Sequence, residues 1–318
     1  MRAAMIVGPR QFQVLSLDPP SPDSDQVRVR LEGCGVCGSN LPPWQGRPWF
    51  DYPLPPGSPG HEGWGVIDAV GENVSGCQAG DRVALVSTHA FAEYDIASSE
   101  EVVVLPPELE NRPFPAEPLA CACNIFRRSS VEEGQTVAII GVGFMGALVG
   151  MLATSAGARV IVVSRRDCAL DIATDFGARH CIQFQDPQKV VARILEITGG
   201  WGCERVIEAV GHQVSLDVAS EVVRTGGKLI IAGYHQDGVR TIDLQSWNWK
   251  GIEVINAHER DPVVVQQGLQ EAIALVIKGS LNPFPLFTHF FSIEHIAGAF
   301  EVLSTRPPGF MKALISYE

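Results

Sequence analysis

TVAIIGVGFMG, residues 136–146, decides how the rest of the chain is read. An apolar run ends in Gly141, Gly143 and Gly146, spaced G-x-G-x-x-G, and a helix-compatible apolar segment follows over 146–157. A strand, a glycine turn and a helix in that order let the backbone, including Phe144 and Met145, approach a pyrophosphate lying on the helix N-terminus. A tight turn without a ligand is the competing explanation, and the flanking pattern argues against it. TVAIIG, ARVIVV, RVIEAVG and GKLIIAG alternate with helical stretches at 146–157, 168–176 and 213–224. Alternation of this period predicts an α/β fold with a doubly wound parallel sheet.

The next strand, ARVIVV, runs into SRRD. An NAD-binding chain would carry Asp or Glu there for the ribose hydroxyls. Ser164 stands in that place, followed by Arg165 and Arg166. Two arginines at a helix start oppose the helix macrodipole, and a ribose 2′-phosphate would offset them. Charge-assisted hydrogen bonds of about 1.5–3 kcal/mol each would favour NADP(H) over NAD(H) by about 10²–10³. A solvated surface pair is the alternative.

The chain has 318 residues, longer than one core usually fills, so two domains are expected. No apolar run is long enough to span a bilayer, and the apolar stretch in MRAAMIVG is too short for a signal peptide, so a soluble, cytoplasmic protein is expected. A net charge of −12 argues against nucleic acid or an anionic membrane as partner. Eight scattered cysteines in a chain of this length fit a reducing compartment. Short strand-like runs fill the first hundred residues, and the Pro- and Gly-rich segment 42–60 reads as a long loop. Helical text returns after about Asn256, and FMKALISY reads as a last strand.

The N-terminal region holds a second motif, EGCGVCGSNL, residues 32–41. Cys34 and Cys37 could be a redox dithiol, half of a structural zinc site, or one metal ligand beside an unrelated cysteine. PGHEGWG then places His61 and Glu62 together, 24 positions after Cys37, and Glu117 follows in AEPLACAC. Zinc takes Cys, His and carboxylate, and catalytic sites keep a position open.

Together, GVCGSN, GHEGWGVIDAVGENV, AGDRV, FAEY, EPLA, GVGFMG, VIEAVG and THFFSIEHIAGAFEVL resemble the zinc-dependent medium-chain dehydrogenase/reductase superfamily, the alcohol and polyol dehydrogenases. The resemblance implies a GroES-like catalytic domain from residues 1–117 and 256–318, a Rossmann domain over 118–255, and an active site in the cleft. By position, Cys37, His61 and Glu62 match the catalytic zinc ligands, and Cys34 becomes a non-ligand neighbour. Glu117 matches an acid near the metal of sorbitol dehydrogenases. Zinc with a Cys37 thiolate, a Glu62 carboxylate and neutral His61 is already neutral, so Glu117 is expected as an exchangeable ligand or a partner of the zinc-bound water. Hydride would pass between NADP(H) and a small-molecule alcohol or carbonyl, with a polyol or cyclitol favoured by Glu117. A homodimer or homotetramer built through the Rossmann sheet is implied.

Three positions depart from the family pattern. The four-cysteine structural-zinc lobe is absent, so one catalytic zinc and no structural zinc is expected. Pro42 replaces a frequent relay histidine, which leaves Ser39 as the hydroxyl for the substrate oxygen, and the proton is expected to leave by Ser39 and the nicotinamide ribose hydroxyl to water, or through Glu117. Asn40 replaces an Asp that orients the zinc histidine, and its amide oxygen is expected to accept the His61 ring N–H. Trp44, Trp49, Phe50 and Tyr52 suggest a partly aromatic pocket, with self-packing of the loop as the alternative. His258 and Glu259 read as a surface turn. A zinc-free enoyl or quinone reductase, or a non-catalytic nucleotide sensor, are the rival functions.

Overall fold

The computed structural model describes residues 1–317. Its chain divides into two units: Met1–Ala120, Asp261–Ile277 and the segment from Pro283 onward form one, Cys121–Arg260 and Lys278–Asn282 the other. The first unit opens with strands β1 (Arg2–Gly8), β2 (Gln11–Ser16) and β3 (Gln26–Val36). Helix α1 (Leu41–Gln45) follows, then β4 (Gly63–Val70), β5 (Arg82–Leu85), β6 (Tyr94–Ser98) and β7 (Val102–Val104). In β3 buried and less buried positions alternate through Glu32, after which Gly33 to Val36 are all buried. Gly33 is needed there: a Cβ would lie 2.3 Å from the Trp64 ring. The segment 42–60 is not loop throughout. Prolines in the first turn are tolerated because those N–H groups have no helical partner, and α1 stops at Gly46 with φ +80°.

Helix α2 (Ala116–Ser129) leads to the second unit, where β8 (Thr136–Ile140), α3 (Phe144–Ser155), β9 (Arg159–Ser164), α4 (Asp167–Asp175) and β10 (His180–Gln183) alternate. The pattern continues through α5 (Pro187–Ile197), β11 (Cys203–Glu208), α6 (Gln213–Val222), β12 (Val223–Ile231), α7 (Leu244–Lys250) and β13 (Glu253–Asn256). The strands pair in parallel in the order β10-β9-β8-β11-β12-β13. All five residues of β8 are buried, as expected of a central parallel strand covered on both faces. The order reverses between β8 and β11, and ligands of open α/β sheets bind at the carboxyl ends of the strands at such a point.

After α8 (Pro262–Lys278) the chain supplies β14 (Phe287–Ser292), α9 (Ile296–Thr305) and β15 (Lys312–Ser316) to the first unit. Its seven-stranded sheet runs β14-β15-β3-β4-β5-β7, with β6 also on β3. At the buried end of β3, Cys34 faces Gly63 of β4 on one side and Ile315 of β15 on the other. This three-strand junction joins residues almost the whole chain apart, and it builds the candidate site. Among the described residues no helix is long and apolar enough to cross a membrane.

Candidate metal centre and dinucleotide cradle

Pairing of Cys34 with Gly63 carries the chain beyond both strand ends so that Cys37 meets His61 and Glu62, which immediately precede β4. A ligand atom of each of these three lies within 4.8 Å of the others. Glu62 is fully buried, and its carboxylate occupies the space left by Gly35, where a Cβ would stand 1.8 Å from Oε2. Lys312, the first residue of β15, is buried beside it and donates from Nζ to Oε1 at 2.6 Å. Nζ is also 2.6 Å from Oε2, but off a hydrogen-bonding direction, so Oε2 is a buried oxygen without a directed hydrogen bond.

The His61 ring is oriented by the carbonyl of Pro59, which lies 2.9 Å from Nδ1. A carbonyl can only accept, so Nδ1 carries the proton and Nε2 is left for a cation. This corrects the expectation for Asn40. Its Oδ1 accepts the Cys37 backbone N–H at 2.7 Å, which fixes the amide, and its Nδ2 donates to Pro59 O at 2.9 Å. Asn40 therefore braces the carbonyl that orients His61, and its nitrogen, at 3.5 Å, is the atom nearer the ring. Ser39 Oγ stands 3.5 Å from His61 Nε2.

Burial alone would push the His61 imidazole down, but Cys37, Glu117 and Glu62 override it and hold it up at about 10. Lys312 is likewise held above its usual value: burial opposes its charge, while Glu62, Cys37 and Glu117 favour it. The site is thus a negative pocket that selects positive charge. Thiolate, imidazole and carboxylate are zinc donors, and Glu62 Oε2, although 2.6 Å from Lys312 Nζ, has a lone pair not used in a directed hydrogen bond. The residues present fit a zinc ion. Glu117, half-buried in the first turn of α2, does not join the three at that spacing, although its charge acts on His61 and Lys312. Cys34 is buried, burial pushes its thiol well up, and it stands outside the group formed by Cys37, His61 and Glu62.

In the second unit, Gly141 has φ +104° and Gly146 packs so closely that a Cβ would be 2.0 Å from Gly141 O. Gly143 faces open space, with nothing within 4 Å of where its Cβ would be. The cradle is therefore tight where it turns and empty where a pyrophosphate would lie. Phe144 and Met145 open α3, whose N-cap Gly143 contributes no side-chain hydrogen bond. Ser164 is buried at the end of β9 and accepts the backbone N–H of Arg166 at 3.2 Å. Arg165 is exposed, whereas Arg166 is half-buried and donates from Nη2 to Val142 O at 3.2 Å. Burial pulls its guanidinium down.

Two family models match the sequence, the alcohol dehydrogenase GroES-like domain over residues 23–107 and the zinc-binding dehydrogenase family over 145–277. The chain belongs to the zinc-dependent medium-chain dehydrogenase/reductase superfamily, in its alcohol and sorbitol dehydrogenase-like branch. It is 25% identical to a sorbitol dehydrogenase of Halalkalibacterium halodurans over 94% of each chain. A 2-dehydro-3-deoxy-L-galactonate 5-dehydrogenase of Pseudoalteromonas atlantica is also 25% identical, over 99% of this chain and 98% of that one. Among solved structures, an alcohol dehydrogenase, RspB of Escherichia coli, complexed with NADH, aligns with a TM-score of 0.89 at 23% identity, covering 100% and 99% of the two chains.

In this dehydrogenase the sequence pointed to Cys37, His61 and Glu62 but missed Lys312, Gly35 and the Pro59 carbonyl. A signal for Lys312 existed: a lone charge in the apolar run FMKALIS needs a buried partner. Lys312 also corrects the charge count, because its positive charge offsets one acid, and a charged Glu117 no longer makes a zinc-loaded site anionic. Trp44 is buried in the core, against Phe300 and with the Arg10 guanidinium 4.6 Å over its ring, and Tyr52 is partly buried against the same core. Trp49 is 61% exposed. His258 and Glu259 lie in the partly exposed segment after β13, where His258 Nε2 is 3.3 Å from Gly233 O and Glu259 pairs with Arg128 at 3.7 Å.

The raised His61 value sets a pH dependence. Without metal, His61 is protonated below about 10, and the stability this adds is complete below its usual 6.5 and lost as pH rises through about 10. Metal binding must displace that proton, so affinity is expected to rise about tenfold per pH unit between 7 and 9. Isothermal titration of metal-free protein with zinc in two buffers of different ionisation enthalpy should show release of at least one proton. No proton release at pH 7.5 would contradict the arrangement.

Proposed function

We propose that the chain is an NADP(H)-preferring, zinc-dependent oxidoreductase that interconverts an alcohol and its carbonyl compound. The observation that carries this is the convergence of Cys37, His61 and Glu62 within 4.8 Å, with one buried carboxylate oxygen lacking a directed hydrogen bond. Zinc bound there supplies a Lewis acid for the substrate oxygen, and the nicotinamide supplies or accepts the hydride. The chain's own residues hold and orient. Pro59 O, braced by Asn40, fixes the His61 tautomer, and Lys312 with Gly35 fixes Glu62. Ser39 is the hydroxyl that takes or gives the substrate proton, and Glu117, with Lys312 offsetting one acid, serves as an exchangeable ligand.

Ser164 and Arg166 beside the glycine turn support the preference for a 2′-phosphate. A polyol or cyclitol substrate fits Glu117 and the polyol dehydrogenases among the relatives. Eight free cysteines suit a cytoplasmic setting, and the edge strand β13 offers a route to a homodimer or homotetramer.

The test is a panel of alcohols, polyols and ketones with NADPH and NADP⁺, before and after chelation. Turnover should fall at least 100-fold on chelation and return with zinc. Turnover of an enone or quinone that survives chelation would instead favour the zinc-free reductase.

A further inference from the structure

Glu208 ends β11 fully buried, and the proposed chemistry makes no use of it. We propose, resting on the reading of the chain as a dinucleotide-dependent enzyme, that Glu208 and His235 are positioning residues: they lock the loops after β11 and β12 into one wall for the nicotinamide half of the cofactor.

A buried carboxylate is costly unless its oxygens are occupied, and here both are. Oε1 accepts the backbone N–H groups of Val210 and Gly211 at 2.9 and 2.8 Å and the Ser215 hydroxyl at 2.7 Å, which fixes the turn that leaves β11. Oε2 faces His235 Nε2 at 2.9 Å. His235 Nδ1 accepts from Arg240 Nε at 2.9 Å, so the ring proton sits on Nε2 and is donated to Glu208. Arg240 closes the circuit from Nη2 to the carbonyl of Gly211 at 2.8 Å. The loop after β12 is thereby tied to the loop after β11 by two routes. They meet so closely at Gly233 that a Cβ there would lie 2.3 Å from Gly211 N and 2.5 Å from Glu208 Oε2.

This wall borders the glycine turn. Ala209 N donates to Ile140 O at 2.9 Å, and a Cβ on Gly141 would stand 2.3 Å from Val210 Cγ2, so the turn that Glu208 fixes packs against the turn that would hold the pyrophosphate. The order of the strands assigns the half. With the adenosine ribose at the end of β9 and the pyrophosphate after β8, the rest of the dinucleotide lies across the reversal, over the ends of β11 and β12.

Titration calorimetry of the full chain with NADPH and NADH, and with 2′,5′-ADP and AMP as their adenosine halves, tests the assignment. His235→Phe keeps a ring that can neither donate to Glu208 nor accept from Arg240. It should weaken whichever dinucleotide the parent prefers by about tenfold or more, while the matching adenosine half binds within about twofold of the parent. His235→Gln, whose amide can do both, should recover most of that loss. Glu208→Gln, which sets an amide N–H against His235 Nε2–H, should reproduce the loss on the dinucleotide alone. A merely structural role would weaken both halves together. Equal dinucleotide binding by parent and His235→Phe, an equal loss on the adenosine half, or no recovery in His235→Gln would overturn the positioning role and leave the dinucleotide reading standing. A parent that binds neither dinucleotide would overturn that reading and this inference with it.

Discussion

Replacing Lys312 by methionine is expected to destabilise the metal-free protein by about 3–5 kcal/mol, the cost of leaving a buried carboxylate without its partner. Glu62 is fully buried and Lys312 is its 2.6 Å donor. Urea unfolding measures the loss. The double change Glu62→Gln with Lys312→Met should recover most of it, because no charge is then stranded. Zinc should narrow the gap between parent and Lys312→Met, since the metal then faces the Glu62 charge. A single variant that unfolds at the parent's midpoint without metal would remove the buried pair from the account.

The second large effect is expected at the adenosine end of the cofactor. Ser164→Asp should lower kcat/KM for NADPH by about 10²–10³, by repelling the 2′-phosphate at the end of β9 and leaving NADH the better cofactor. Arg166→Ala should lose a smaller part of the NADPH preference. In the parent its guanidinium holds Val142 O in the glycine turn, so it must share or release that hydrogen bond to meet a phosphate. Steady-state kinetics with both cofactors decides this. An unchanged NADPH/NADH ratio in Ser164→Asp would place cofactor selection elsewhere.

Much of the second unit was legible because its signals are local. TVAII and RVIVVS are short, largely apolar strands, and parallel strands covered on both faces read that way. The glycine turn was legible too, since Gly141 needs a positive φ and Gly146 a close approach. The meeting of Cys37, His61 and Glu62 agrees with the positions that the family resemblance picked out. What the sequence hid depends on distant pairing. Lys312 reaches Glu62 across 250 positions because β15 and β4 both flank β3, which no local pattern announces. The role of Asn40 was misread because an amide presents both a donor and an acceptor, and only the Cys37 N–H decides which end faces it. Trp44 looked like pocket lining because aromatic residues in a Pro-rich loop carry no sign of which face turns inward.

The most direct test of the account is zinc per chain, by elemental mass spectrometry, in protein purified without chelator, with Cys37→Ser alongside. About one zinc in the parent, and at least a tenfold lower content in folded Cys37→Ser, is the expected result. Folded parent protein that carries no zinc, and takes up none when it is supplied, would contradict the metal centre and with it the proposed chemistry.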